Sequence, residues 1–248
     1  MSEDLVYPGG KLRLFVDAAL GQGARAIPGD RQTHYLLHVM RSKIGDRLSL
    51  FNGRDGEWSA TVVEVSKRQC VLECRGQVAP QSDVPDLWLV FAPIKRTPAD
   101  YVVQKATELG VRRLQPVITR RTIVHRVNGE RMRANALEAA EQSGRLTVPD
   151  IAEPVPFARL LSEWPHGRRI VFCDEGGDAR PIAEALRDQP SGPWAVVTGP
   201  EGGFDPGERA ALRALPHVTP VSLGVRILRA DTAALAALAV WQACIGEG

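Results

Sequence analysis

The chain has 248 residues, with 31 Lys and Arg against 29 Asp and Glu, 44% hydrophobic and 24% charged. That balance excludes a largely disordered chain and supplies enough apolar material for one large domain or two modest ones, of which two fits the patterns below better. No apolar run reaches the roughly 20 residues of a membrane-spanning helix, and MSEDLVYPGG lacks the basic-then-apolar order of a signal peptide, so a cytoplasmic protein without a membrane partner is expected.

The first 80 residues read as strands. LRLFV (12–16), DRLSLFN (46–52), EWSATVVEVS (57–66) and QCVLECRGQV (69–78) are short, rich in Val, Leu and aromatics, and separated by the turn formers NGRDGE and SKR. One helix interrupts them: THYLLHVMR (33–41) places Leu36, Leu37 and Met40 on a common face, and SKIGD stops it. The pattern predicts a small barrel-like β domain. APQSDVPD (79–86) reads as a linker, which divides the chain into domains at 1–80 and 87–248 with 81–86 between them.

Strands and helices then alternate. LWLVFAPI (87–94) suits a buried parallel strand, PADYVVQKATELG (98–110) a helix ended by Gly110, and LQPVIT (114–119) a second strand. A long helix at about 130–143 follows, then strand RIVFC (169–173), helix PIAEALRD (181–188), strand WAVVTG (194–199), helix PGERAALRAL (206–215), strand VTPVSLG (218–224) and helix TAALAALAVWQAC (232–244). This predicts an α/β domain with a mostly parallel sheet. The last helix is apolar on nearly every side apart from Gln242, which calls for burial all round, in a dimer interface or within the monomer.

The charge is unevenly spread. Residues 95–145 carry eleven Lys and Arg against five Asp and Glu, a local +6; residues 146–248 carry nine against thirteen, a local −4. A basic middle segment fits a phosphate backbone, and a solvated helix face explains it equally well. The cysteines Cys70, Cys74, Cys173 and Cys244 include no CxxC, so reduced structural thiols and no metal site are expected. His34 and His38 stand at i, i+4, but HYLLH lacks the carboxylate of HExxH; a helix-face or RNA contact is the better reading.

Two loops after apolar strands carry chemistry, because ligands bind at the strand ends of open α/β sheets. In TGPEGGF (198–204), Gly199, Gly202 and Gly203 permit positive φ and close backbone approach, so the loop can wrap a flat ligand and offer it amide hydrogens. Neither GxGxxG nor GxxxxGK[ST] is present, which argues against a dinucleotide fold or a P-loop. SLGVRILRADT (222–232) joins apolar Leu223, Ile227 and Leu228 to Arg226, Arg229 and Asp231 ahead of a helix that Asp231 or Thr232 can cap. Together the loops offer an apolar slot with backbone hydrogen bonds, as an adenine ring wants; alone, the second is also a plain helix-entry turn.

VTGPEGGF and SLGVRILRADTA, preceded by QKATELGV (104–111) and EAAEQSGR (138–145), strongly resemble the bacterial 16S rRNA uridine-N3 methyltransferase family of the SPOUT superfamily. HYLLHVMRSKIGDRLSLFNGRDGEW (34–58) resembles that family's PUA-like RNA-binding region, so nearly the whole chain is covered. The resemblance implies a C-terminal SPOUT trefoil-knot domain, an N-terminal PUA-like β-barrel, a homodimer, S-adenosylmethionine as cofactor, and 16S rRNA or the small ribosomal subunit as partner. Two positions depart from the family: Asp231 stands where Glu is usual, and Met132 where a Trp often precedes the EAAEQ helix.

Carried over by position, the cofactor site comprises Thr198, Gly199, Pro200, Glu201, Gly202, Gly203, Leu223, Gly224, Ile227, Leu228 and Arg229. Arg229 or Arg145 is expected to stabilise charge on the uracil oxygens, and Glu201 to accept the N3 proton or hold the cofactor's ribose or sulfonium. Candidate RNA contacts are Arg13, His34, Arg41, Arg120, Arg121, Arg126, Gln142 and Arg145. Glu138, Gln142 and Arg145, at i, i+4 and i+7, are expected on one helix face; Lys105 and Glu108 are expected to form a structural ion pair. The competing readings are a non-catalytic RNA-binding or ribosome-assembly factor and a methyltransferase acting at another RNA position.

Overall fold

The computed structural model describes residues 12–124, 126–174, 176 and 178–246, with the side chain of Arg96 left aside; MSEDLVYPGG lies outside the described residues. The chain divides into two compact units, Met1–Asp83 with Ala140–Val148, and Val84–Ala139 with Pro149–Gly248.

In the first unit, β1 (Arg13–Phe15), β2 (Arg25–Ala26), β3 (Arg47–Phe51), β4 (Glu57–Val65) and β5 (Cys70–Ala79) form one sheet in the order β1-β3-β4-β5-β2. β1 runs parallel to β3 and the other pairs are antiparallel. Three register shifts between β4 and β5 add twist and curl the sheet into a half-barrel, where a small barrel-like domain is expected. The turn at 52–55 is closed by Asn52, whose Oδ1 accepts the amides of Arg54 and Asp55 at 3.1 and 2.9 Å. Leu14, Leu36, Leu48, Leu50 and Leu72 form the core with Cys70 and Cys74, whose thiols burial pushes up and keeps protonated.

The helix at 33–41 differs from expectation. α1 (Asp30–His34) passes into a π-turn (Tyr35–Val39), with the Met40 amide donating to the Tyr35 carbonyl at 2.9 Å. The wider turn breaks the helical phase, so Leu36 is buried while Met40 is 46% exposed.

The second unit contains β6 (Leu87–Phe91), α2 (Arg96–Glu108), β7 (Arg113–Ile118), α3 (Gly129–Ser143) as far as Ala139, β8 (Asp150–Ile151), β9 (Val155–Pro156) and α4 (Phe157–Ser162). It continues with β10 (Arg169–Cys173), β11 (Arg180–Pro181), α5 (Ile182–Leu186), β12 (Trp194–Thr198), α6 (Pro206–Arg213), β13 (Val218–Ser222) and α7 (Ala230–Cys244). The sheet is parallel throughout in the order β11-β13-β10-β12-β6-β7-β8, with β9 beside β7. Helices cover both faces of such a sheet, which is why WAVVT is buried at every position. From β6 the chain builds outward through β7 and β8, then returns to β10 and fills the gap with β12. The carboxyl ends of β6, β12 and β10 thus meet at a topological switch point.

α7 is buried along Ala234, Ala237, Leu238 and Trp241, and packs on α2, α5 and β12. Its opposite face keeps Ala239 and Ala243 exposed and Leu235, Ala236 and Val240 half-buried, so the chain alone does not meet the expectation of burial all round. Gln242 closes the end of α2 by donating to the Leu109 carbonyl at 2.6 Å. Met132, in the Trp position, is buried as a packing residue. Among the described residues no helix is long and apolar enough to cross a membrane, and no group of three or more His, Cys, Asp or Glu is placed to hold a metal ion.

Candidate functional site

A cavity of about 870 Å³ opens over the carboxyl ends of β6, β10, β12 and β13. Its first wall is the loop that leaves β12. Thr198 is buried at the strand end, and Gly199 lies so close to the Phe204 ring that an added Cβ would meet its edge at 3.1 Å. Phe204 is anchored in the core against Phe157 and Phe172, with ring centroids 5.1 and 5.5 Å away. Of the three glycines only Gly203 takes a positive φ, +67°, and its amide closes a turn on the Pro200 carbonyl at 2.9 Å. Asp205 then starts α6 with a capping box shared with Glu208.

The second wall is the segment between β13 and α7. Gly224 has φ +111° and donates its amide to Ser222 Oγ at 3.2 Å; Val225 and Ile227 stand 95% and 91% exposed. The expected cap of α7 is corrected: the N-cap is Arg229, which makes no side-chain cap, while Asp231 lies inside the first turn and accepts the Thr232 amide at 2.8 Å. Asp231 at that position opposes the positive end of the helix dipole.

The floor comes from β10. Cys173 lines it with a thiol that burial pushes up to about 12, so it stays protonated at neutral pH. Asp174 is buried, and burial alone would raise its carboxyl; hydrogen bonds from Arg209 Nε at 2.7 Å and Arg213 Nε at 2.6 Å, with the Gly176 amide, outweigh it and hold the group below the usual range. Both arginines also reach Asp178, whose carboxyl is lowered mainly by Arg213. Asp174, Arg209 and Lys95 line the cavity and were not found by sequence reasoning. The only trace of the cluster in the sequence is the matched spacing of Asp174 with Asp178 and Arg209 with Arg213, which gains meaning once β10 and α6 are neighbours.

Ten of the eleven expected cofactor residues line this cavity: Thr198, Gly199, Pro200, Glu201, Gly203, Leu223, Gly224, Ile227, Leu228 and Arg229. Gly202 does not. Glu201 is exposed and takes no hydrogen bond or ion pair among the described residues. Arg145 belongs to the first unit, is not among the lining residues, and donates from Nε to Thr147 Oγ1 at 3.1 Å. Nor does it share a helix face with Glu138 and Gln142, because α3 stops at Ser143.

The expected RNA contacts separate physically. Arg13 is corrected to a structural residue: its side chain is 1% exposed, pairs with Glu57 at 3.0 Å, and donates to the carbonyls of Ala140, Glu141 and Arg145. Those bonds also explain why 140–148 gathers with the first unit rather than with 87–139. His34, Arg41, Arg126 and Gln142 are exposed; His34 lies beside His38 with ring centroids 4.7 Å apart, and Arg41 holds a positive φ of +54°. Arg120 and Arg121 are exposed but engaged, Arg120 with Asp205 at 3.0 Å and Arg121 with the Gly202 carbonyl at 2.8 Å. Lys105 and Glu108 form the expected ion pair at 2.7 Å.

Models of two domains match the chain: an RNA methyltransferase domain over residues 80–242 and an RNA methyltransferase PUA domain over 27–73. A Rickettsia conorii protein named ribosomal RNA small subunit methyltransferase E is 31% identical over 92% of this chain and 93% of its own. A Synechocystis protein of the same name is 32% identical over 84% of this chain and 69% of its own. The crystal structure of a ribosomal RNA small subunit methyltransferase E from Neisseria gonorrhoeae, bound to S-adenosyl methionine, superposes with a TM-score of 0.81 at 27% identity, covering 95% of this chain and 98% of that one. The parallel α/β unit and the curled N-terminal sheet are the places where these two domains match, an RNA methyltransferase domain and a PUA domain. With one model extending over more than half of its length and the other over much of the N-terminal unit, the chain belongs to the RNA methyltransferase family.

Proposed function

We propose that this chain methylates N3 of a uridine in 16S rRNA, using S-adenosylmethionine and working as a cytoplasmic homodimer. The observation that carries the reading is the cavity of about 870 Å³ walled by two glycine-bearing loops, in a chain similar along 95% of its length to a structure bound to that cofactor. The lining fits it. Leu223, Leu228 and Val221 offer apolar contact to a purine ring, the loop amides can meet its edge, and Glu201 and Asp231 supply negative charge for a cationic ligand. The half-exposed apolar face of α7 supports a second copy of the chain as partner.

S-adenosylmethionine, when bound, supplies a methyl group activated by a sulfonium. The residues have to place the acceptor nitrogen and manage its proton. N3 of uridine lies between two carbonyls and is weakly acidic; on losing its proton it spreads negative charge onto O2 and O4. Arg229, exposed at the cavity edge, is the group to hold that charge, and Glu201, without a partner among the described residues, is the group to accept the proton. Exposed Arg126, His34, Arg41 and Gln142 are available to the RNA. The test is mass spectrometry of nucleosides from 16S rRNA of a strain lacking the chain. Loss of 3-methyluridine, restored by the wild-type gene, is expected; persistence of 3-methyluridine in that rRNA overturns the reading.

A further inference from the structure

Gly202 is the one residue of the 198–203 loop that does not line the cavity. Its carbonyl accepts Arg121 Nη1 at 2.8 Å, and the Cβ and Cδ of Arg121 lie 3.7 Å from where a Cβ on Gly202 would stand. Arg121 is itself set by a tight turn at the end of β7. The Thr119 amide donates to Thr122 Oγ1 at 2.9 Å, the two threonine hydroxyls meet at 2.8 Å, and both threonines are buried. On the other side, the Arg120 amide donates to Glu208 Oε1 at 2.9 Å and its guanidinium pairs with Asp205 at 3.0 Å, fastening the same turn to the capping box of α6. The turn at 119–122 is thus fastened to α6 through Arg120 and to the loop through Arg121, while the inner face of the loop meets the cavity.

We infer that Arg121 is a positioning residue for the cofactor loop, holding its glycine pair in the conformation that the ligand needs; this rests on the reading of the cavity as the S-adenosylmethionine site. A loop with two adjacent glycines has many conformations to lose on binding. A charge-assisted bond to the Gly202 carbonyl removes part of that loss beforehand, and pre-organisation of this kind appears as ligand affinity. A phosphate contact, the role that a basic segment first brings to mind, leaves cofactor affinity alone and weakens RNA binding instead.

The test is calorimetric titration of the full-length chain with S-adenosylmethionine, comparing wild type, R121A and R121K, with melting temperatures as the control for folding. R121A is expected to raise Kd and KM for the cofactor about tenfold, the worth of one hydrogen bond from a charged donor. R121K, a point charge without the planar fork, is expected to lose affinity to a smaller degree, and it carries the comparison if R121A melts early. The kcat at saturating cofactor and the affinity for naked 16S rRNA are expected to stay within about twofold, and amides at 199–204 to exchange faster in ligand-free R121A. Cofactor affinity within about twofold of wild type in both variants overturns the inference, the more so if rRNA affinity falls. Absence of binding to the wild-type chain is a different result: it overturns the cofactor reading itself, and this inference with it.

Discussion

Asp174→Asn tests the floor of the cavity. The carboxylate, 1% exposed, accepts three hydrogen bonds, from Arg209, Arg213 and the Gly176 amide. Asparagine keeps the shape and one acceptor but turns an NH₂ toward a guanidinium, so one charge-assisted bond is lost and a donor faces a donor. Removing one partner of a fully buried pair costs about 3–5 kcal/mol. Here the arginine side chains are 35% and 30% exposed and keep Asp178, so water and that second carboxylate recover part of it, leaving about 2 kcal/mol. For a unit of this size that lowers the melting temperature by about 4–8 °C. Calorimetry at neutral pH measures it, and pH supplies an internal check. Because the folded carboxyl titrates below its ordinary 3.8, the unfolded chain binds the proton first as pH falls. The stabilisation is therefore complete above about pH 4 and is lost as pH drops through the folded value, and the gap between wild type and variant closes over that acid range. A melting shift under about 1 °C at neutral pH, or a gap that widens on acidification, would refute the reasoning.

Three further variants probe other links. Gly199→Ala places a methyl 3.1 Å from a Phe204 ring held between Phe157 and Phe172, so S-adenosylmethionine affinity is expected to fall about tenfold by calorimetry; unchanged affinity means the ring yields and the close packing is not required. Glu201→Gln is expected to cut kcat about 100-fold while cofactor Kd stays within about threefold, and full turnover at saturating cofactor excludes the carboxylate as proton acceptor. Arg13→Met strands Glu57 and three backbone carbonyls and is expected to cost the first unit about 3 kcal/mol or more in urea unfolding. Intact stability with weaker, salt-sensitive rRNA binding would return Arg13 to the RNA surface.

How far the sequence could be read depended on whether a signal was local. The parallel strands announce themselves because burial on both faces leaves continuous apolar runs such as WAVVT, whereas β2, β8, β9 and β11, two residues each, have no period to detect. The end of α3 near Ser143 is legible and agrees with the structure, but a helix face drawn on to Arg145 overruns it: Gly144 follows Ser143 as a helix-stopping glycine, which removes Arg145 from the face of Gln142. Arg13 was not legible. Alternation in LRLFV sets Leu14 and Val16 against the sheet's core and Arg13 on the other side, and that side is covered by carbonyls more than 120 residues further along. The basic segment shows the same limit. Its net +6 is real, yet Arg131 is committed to Asp100, Arg120 to Asp205 and Arg121 to a backbone carbonyl, while Arg126 and Arg133 stay exposed. A charge count measures the long-range field that draws RNA toward a surface, and a bound arginine still contributes to it. Which guanidinium meets a phosphate and which fastens a loop is settled by neighbours that only the fold supplies. TGPEGGF stands out in the sequence as a ligand loop, whereas the arginine that holds it stands out only once β7 and β12 share a sheet.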